Sequence, residues 1–172
     1  MLNKGDYVVY GNHGLCVVTD MTVPAFLERG KEKLYYVMSP VTDKRGVLYV
    51  PVDGAEEKMR DVIDSVDAKD LMDEIEEIEE MEIPTGKKSE AAISDVVKRN
   101  LPEEMMSLVK SLHKIKATRA AEGKKFAAMD EKYLRIAEKL LYTEIAFSLE
   151  SEYEAVVERV MEVLESLPLQ TA

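Results

Sequence analysis

Histidine and cysteine, which often serve as nucleophile, general base or metal ligand, are rare in this sequence. The chain contains two histidines, His13 and His113, and a single cysteine, Cys16. Nucleophilic catalysis by serine or cysteine needs an adjacent base, and a zinc site needs several His, Cys or carboxylate ligands at close spacing. Neither histidine has such a companion at the required spacing. We therefore expect no catalytic centre and no bound metal.

The other chemistry-bearing segment is a run of carboxylates from Asp73 to Glu82. Such a run binds cations weakly, but it lacks the glycine that turns the chain in a calcium-binding EF-hand loop. The sequence also lacks the GxxxxGK[ST] and GxGxxG patterns that hold nucleotide phosphates. We predict that the protein is not an enzyme, that it uses no cofactor, and that these carboxylates form the solvated side of a helix.

His13 lies in the sequence GNHG, where glycines permit the positive φ angles of a tight reversal. We interpret Gly11, His13 and Gly14 as a structural turn, with the imidazole of His13 hydrogen-bonded to nearby backbone. Cys16 is interpreted as a small core side chain of the strand that follows.

Short runs of β-branched and aromatic residues, separated by Gly, Pro, Asn and Asp, indicate strands in the first third of the chain. They predict a small barrel or a sharply bent sheet of five strands. The predicted strands cover Tyr7–Tyr10, Leu15–Val18, Leu34–Met38, Val47–Val50 and Met59–Ile63.

From Ser65 onward the apolar residues recur with a helical period instead. Ser65 or Asp67 is predicted to cap the first helix. The fourth helix is apolar over a wide arc, which indicates packing on more than one side. The fold class is therefore α+β, with a β domain over residues 1–64 and an all-α bundle over residues 65–172. Helices are predicted over residues 65–81, 89–99, 102–121, 130–149 and 152–167.

The net charge of −11 is distributed unevenly along the chain. Residues 85–141 carry a net charge of +5, whereas residues 65–84 and 142–172 are acidic. Because salt limits the reach of a charge to roughly 8–10 Å, the basic segment matters more for binding than the total. Its residues are either solvated helix faces or candidates for contact with a nucleic-acid backbone: Lys87, Lys88, Lys98, Arg99, Lys110, Lys114, Lys124, Lys125, Lys132 and Arg135. On a helical wheel, Lys110 and Lys114 fall opposite the apolar stripe of their helix.

The cellular setting is suggested by composition. No apolar run reaches the ~18 residues that a membrane-spanning helix needs, and the N-terminus lacks the apolar region of a signal peptide. A lone cysteine excludes an intrachain disulfide and favours a reducing compartment. We expect a cytoplasmic protein, monomeric and independent of membranes.

Three ordered stretches carry a family resemblance. "KGDYVVYGNHGLCVV", "EKLYYVMSP" and "LYVPVDGAEE" resemble the N-terminal signature of the CarD/CdnL family of bacterial transcription factors. The matching pattern is G-D-x-V-V-Y-x-x-H-G, then a Tyr-rich strand, then V-P-x-x-x-A-E at Val50, Pro51, Ala55 and Glu56. This module is similar to the polymerase-interacting domain of the transcription-repair coupling factor.

The resemblance implies a Tudor-like barrel that docks on the β subunit of RNA polymerase. It also implies a helical domain that touches promoter DNA and stabilises the open complex. The barrel-edge residues expected to meet polymerase are Phe26, Arg29, Lys33, Tyr35, Tyr49 and Pro51.

This chain departs from its relatives at two positions. It has no tryptophan, whereas relatives place one as a wedge in the DNA minor groove. It also has Tyr49 where relatives carry an arginine. A second hypothesis therefore stays open, in which the protein is an adaptor that binds polymerase or another protein without touching DNA.

Overall fold

The chain folds into two compact units that divide between Val62 and Ile63, two residues before the predicted boundary. The structure is a computed structural model, and it describes residues 1–168. The first unit is a sheet and the second is helical, so the predicted α+β class is confirmed.

The first unit is a five-stranded antiparallel sheet within the described residues. The strands lie in the order β4-β3-β2-β1-β5, which leaves β4 and β5 at the two edges. Their bounds are β1 Tyr7–Tyr10, β2 Leu15–Thr22, β3 Tyr35–Pro40, β4 Leu48–Pro51 and β5 Met59–Arg60. The last strand is shorter than predicted, and β2 is longer because it continues past a register shift between Val18 and Asp20.

Alternation of side chains explains how the sheet encloses a core. Along each strand, every second residue points to the same face. One face is buried and carries Val8, Cys16, Val18, Tyr36, Met38 and Val50. On the opposite face, Tyr35 is half-buried and Tyr49 is exposed, whereas Val9 and Leu15 near the first hairpin are buried.

The first hairpin turns at the predicted glycines. Gly11 and Gly14 both have positive φ, at 48° and 75°, and Gly11–His13 forms one turn of 3₁₀-helix. The backbone N–H of Tyr10 donates to the Gly14 carbonyl at 2.9 Å. The His13 ring stacks on Tyr10 with a centroid separation of 5.3 Å.

The second unit contains five α-helices within residues 63–168. Their bounds are α1 Ser65–Asp73, α2 Lys88–Arg99, α3 Pro102–Ala121, α4 Ala128–Leu149 and α5 Tyr153–Ser166. Helix α4 contacts all four other helices, which agrees with its wide apolar arc. None of these helices is both long and apolar enough to cross a membrane.

The first helix differs from the prediction at both ends. Its cap is Asp64, whose carboxylate accepts the backbone N–H of Asp67 at 2.7 Å, instead of Ser65 or Asp67. It ends at Asp73, eight residues earlier than predicted, and turns follow to Ile78. The carbonyls of this stretch are bonded by a lysine of α3, described below, so they need no helical partner. Ile75 still lies in the core, which is why the apolar spacing suggested a longer helix.

The helical core is made by all five helices, with buried Met105, Leu108 and Leu112 of α3 facing Leu141 and Ile145 of α4. One buried carboxylate supports the start of this unit. Glu144 is 1% exposed and accepts the backbone N–H of Ile63 at 2.9 Å.

Candidate docking edge and basic surface

Strand β4 presents main-chain groups to solvent because, in the part of the chain that the structure describes, it pairs with β3 alone. Val52 N–H donates to the Leu34 carbonyl, which fixes the phase of the antiparallel ladder. Hydrogen-bonded and non-bonded pairs alternate along such a ladder. Because Tyr49 is paired with Val37 at a non-bonded position, its N–H and C=O point away from β3. The edge is therefore open to an added strand at Tyr49.

Three aromatic rings lie beside this edge, and we call them the aromatic cluster: Phe26, Tyr35 and Tyr49. The Phe26 ring makes perpendicular contacts with Tyr49 at 5.2 Å and with Tyr35 at 6.1 Å between centroids. Phe26 is 64% exposed and Tyr49 is 47% exposed. Clustered, exposed aromatic side chains are characteristic of protein-binding surfaces rather than of ordinary protein surface.

The structure brings most of the predicted edge residues together. Pro51 lies opposite Tyr35 across the β3–β4 pair, and the Lys33 ammonium lies 5.6 Å from the centre of the Tyr35 ring. Arg29 is exposed in the connection between Phe26 and Lys33. At the position of Pro51 the backbone nitrogen faces away from β3. A proline therefore fits there, because the hydrogen bonds between β3 and β4 do not need its missing N–H.

The helical unit gathers basic residues where α2 begins, α3 ends and α4 begins. Tyr133 donates a hydrogen bond to Glu90 at 3.2 Å, which joins the N-terminal parts of α4 and α2. Arg119 Nε donates to the Lys125 carbonyl, which ties α3 to the following loop. We call this surface the basic end, and it comprises Lys87, Lys88, Lys116, Arg119, Lys124, Lys125, Lys132 and Arg135.

Two residues of the basic end, Lys116 and Arg119, were not among the sequence candidates. The Lys116 ammonium lies 5.9 Å from the Phe126 ring centre. Both residues lie just before the loop that begins at Glu122. Because this loop joins two antiparallel helices, residues at the end of α3 lie beside the start of α4, and this position could have identified them from the sequence. Ion pairs at this end, such as Lys124–Glu122 at 3.3 Å, are exposed and weak.

The other candidates lie elsewhere. Lys98 and Arg99 end α2, so at ~1.5 Å rise per residue they lie roughly 16 Å along the helix from Lys88. Arg99 is paired with Glu104 at 3.0 Å, and Lys114 is paired with Glu80 at 2.8 Å. These residues are therefore not part of the basic end.

Lys110 is buried, so the prediction that it lies on the exposed side of its helix was wrong. It is 4% exposed, and its ammonium donates to the carbonyls of Ile75, Glu76 and Ile78 at 2.7, 3.2 and 2.6 Å. Burial lowers the pKa of Lys110, and the nearby Glu80 carboxylate opposes that change. A helical wheel places a lysine on the solvent side because it is polar. Here the three ammonium protons of Lys110 donate to carbonyls that have no helix N–H as a partner.

The candidate catalytic groups are held in structural settings. The Cys16 thiol is buried and donates to the Gly14 carbonyl at 3.4 Å, and desolvation raises its pKa to about 11. His113 Nε2 lies 3.4 Å from a Glu138 carboxylate oxygen. Within residues 1–168 no three His, Cys, Asp or Glu side chains form a group that could hold a metal ion.

Comparison with protein-family models identifies the first unit. Residues 2–63 match the model of the CarD-like/TRCF RID domain. The N-terminal unit is a CarD-like RID domain. The match covers the whole sheet, including the β4 edge and the aromatic cluster, and agrees with the family that the sequence motifs suggested. This match supports an RNA polymerase-interacting, transcription-related protein. A comparison with curated proteins found no match.

Proposed function

We propose that the protein is a non-enzymatic transcription regulator that docks on the β subunit of RNA polymerase through the β4 edge of its RID domain. Its helical unit then contacts the promoter DNA backbone and stabilises the open complex. We place this activity in the cytoplasm, with one copy of the chain acting on one polymerase. The open edge at Tyr49, flanked by the aromatic cluster, carries the proposal.

Strand addition suits this edge because main-chain hydrogen bonds supply the register and neighbouring side chains supply the affinity. Tyr49 offers one N–H and one C=O, and Pro51 prevents a second donor at the next outward position. Two hydrogen bonds contribute only about 1 kcal/mol each. The aromatic cluster must therefore provide most of the binding energy, as aromatic anchors do in other interfaces.

The basic end supports the DNA-contacting half of the proposal. Its lysines and arginines outnumber its nearby carboxylates, which are Glu90, Glu122, Asp130 and Glu131. The exposed ion pairs there can exchange a carboxylate for a phosphate at little cost. None of these side chains forms an array suited to reading base edges, so we expect weak sequence preference and strong salt dependence.

The edge-pairing claim is tested by comparing Tyr49→Ala with Tyr49→Pro. Both variants remove the ring, but only proline also removes the outward N–H. We expect Tyr49→Pro to bind the isolated polymerase β lobe about fivefold more weakly than Tyr49→Ala, as measured by titration calorimetry, because one hydrogen bond is lost. Equal affinity of the two variants would contradict strand addition at Tyr49. Matching thermal unfolding of the two would show that the sheet tolerates proline there.

The DNA claim is tested by salt titration of promoter complexes. We expect Lys124→Gln/Lys125→Gln to lower the dependence of log affinity on log salt by about two units, since each lost phosphate contact removes about 0.9. The matched control, Lys58→Gln/Lys69→Gln, removes the same charge from exposed positions outside the basic end. If Lys124→Gln/Lys125→Gln left the slope of log affinity against log salt unchanged, the basic end would not be part of the DNA interface.

The adaptor is a second candidate function, and one observation favours it. Of the candidate cations outside the basic end, Arg99 and Lys114 are paired with Glu104 and Glu80, and Lys110 bonds backbone carbonyls. In this alternative the helical unit meets protein and not DNA. Wild-type chain that binds polymerase but adds no salt-sensitive DNA affinity to the complex would establish the adaptor.

A further inference from the structure

A cavity lies on the buried face of the sheet, away from the aromatic cluster. Its volume is about 390 Å³, and residues of the first unit line it. Strands β4 and β5 lie at opposite edges of the sheet, so the chain that joins them, residues 52–58, must cross one face. Val52 and Ala55 of this connection pack on the apolar cluster of the buried face. Because the same two residues line the cavity, the cavity lies between the connection and the sheet.

The wall of the cavity is mainly apolar. Small-molecule sites in proteins have volumes of roughly 300–1,000 Å³ and apolar walls with a few polar groups. This cavity is near the lower end of that range, so it has room for a ligand of modest size. Apart from one tyrosine, the following lining side chains of the sheet core and its margin are aliphatic: Leu2, Val8, Tyr36, Val52, Ala55 and Met59.

One polar group of the wall has hydrogen-bonding capacity left over. Tyr36 is 3% exposed, and its hydroxyl oxygen accepts the backbone N–H of Leu2 at 3.0 Å. A tyrosine hydroxyl can also donate one hydrogen bond, and among residues 1–168 the Tyr36 proton has no acceptor. A buried donor without an acceptor is unfavourable. Because Leu2 and Tyr36 both line the cavity, an acceptor on a ligand can take this proton.

The charged side chains at the cavity do not favour an anionic ligand. Glu56 and Asp61 contribute two carboxylates, whereas Arg60 contributes one guanidinium. That guanidinium also donates to the Asp61 carbonyl at 3.1 Å. An uncharged ligand avoids the repulsion that a carboxylate or a phosphate would meet from the two carboxylates.

We propose that this cavity binds a small uncharged molecule that has an aliphatic chain and a carbonyl oxygen. The chain lies against Val8, Val52 and Met59, and the carbonyl oxygen accepts the hydroxyl proton of Tyr36. Amides, esters and lactones of medium-length fatty acids have this chemistry. The site uses the buried face of the sheet and not the open main chain of β4, so the inference does not rest on the proposed docking.

The test adds octanamide, an uncharged fatty amide, to full-length chain that carries ¹³C in its methionine methyl groups. We expect the Met59 methyl signal to shift and to saturate in nuclear magnetic resonance spectra. The signals of Met129 and Met161, which belong to the helical unit, should stay in place. Octanoate has the same chain with an anionic head, and we expect it to bind at least fivefold more weakly than octanamide.

The hydrogen bond is tested by Tyr36→Phe, which keeps the ring and removes the hydroxyl. We expect octanamide to bind this variant about fivefold more weakly, because one hydrogen bond is lost. The matched control is Tyr7→Phe, which removes a hydroxyl from strand β1 outside the cavity lining, and it should change the affinity less than twofold.

Three results would overturn the inference. The first is a Met59 signal that stays unchanged up to the solubility limit of octanamide. The second is equal affinity of wild-type chain for octanamide and octanoate, which tests the polar contact even if Tyr36→Phe does not fold. The third is competition between the isolated polymerase β lobe and octanamide, since the cavity would then hold a polymerase side chain instead of a small molecule.

Discussion

Replacing Phe26 with alanine is expected to weaken binding of the chain to the polymerase β lobe by about 30-fold or more. The ring contacts both tyrosines of the aromatic cluster and exposes 64% of its surface, so it serves binding more than the sheet core. Truncation of a central aromatic anchor typically costs about 2 kcal/mol or more of binding free energy. Titration calorimetry of full-length variant and wild type measures the change.

The matched control for Phe26→Ala is Val66→Ala, which truncates another exposed apolar side chain, 67% exposed, in the helical unit. We expect this variant to bind the β lobe like wild type. Thermal unfolding should be nearly unchanged for both variants, because neither side chain belongs to a buried cluster. Wild-type affinity of Phe26→Ala would show that the aromatic cluster is outside the polymerase interface.

Replacing Lys110 with methionine is expected to destabilise the helical unit by about 2–4 kcal/mol. Methionine fills a similar volume, but it leaves the carbonyls of Ile75, Glu76 and Ile78 without the ammonium that now bonds them. Buried polar groups that lose their partner cost about 1–3 kcal/mol each, and relaxation of the turn recovers part of that cost. Urea unfolding followed by circular dichroism measures the change.

Lys116→Met is the control for Lys110→Met, because Lys116 is an exposed lysine six residues further along the same helix. We expect a change of less than about 0.5 kcal/mol for this surface substitution. If the two variants unfolded at the same urea concentration, the carbonyls around residue 75 would have to be satisfied by other groups. The role assigned to Lys110 as the support of this turn would then be wrong.

Much of the sheet was predictable because strand signals are local. β-branched and aromatic runs identified the strands, and Gly11 and Gly14 identified the first turn. Which main-chain groups of Tyr49 face outward was not predictable, since this depends on the register between β3 and β4. The contact of Phe26 with Tyr35 and Tyr49 also joins residues far apart in sequence, and the connection that carries Phe26 has no periodic pattern.

The helical unit shows where a periodic pattern misleads. Apolar spacing placed Ile75 and Ile78 on the correct buried side, but it did not reveal that the helix ends at Asp73. Lys110 explains why the helix can end there. Its buried ammonium accepts the role of hydrogen-bond donor to carbonyls that a continuing helix would bond through its own N–H groups. The wheel treated that lysine as solvent-facing, since pattern analysis assigns a side chain by polarity and not by its partner.

Hydrogen exchange of the backbone amides in full-length chain, with and without RNA polymerase core, tests the central claim most directly. We predict that polymerase slows exchange of the Tyr49 amide, which points to solvent in the free protein, and leaves the amide of Val50, already bonded to β3, little changed. Binding of polymerase without added protection at Tyr49 would contradict docking through the β4 edge.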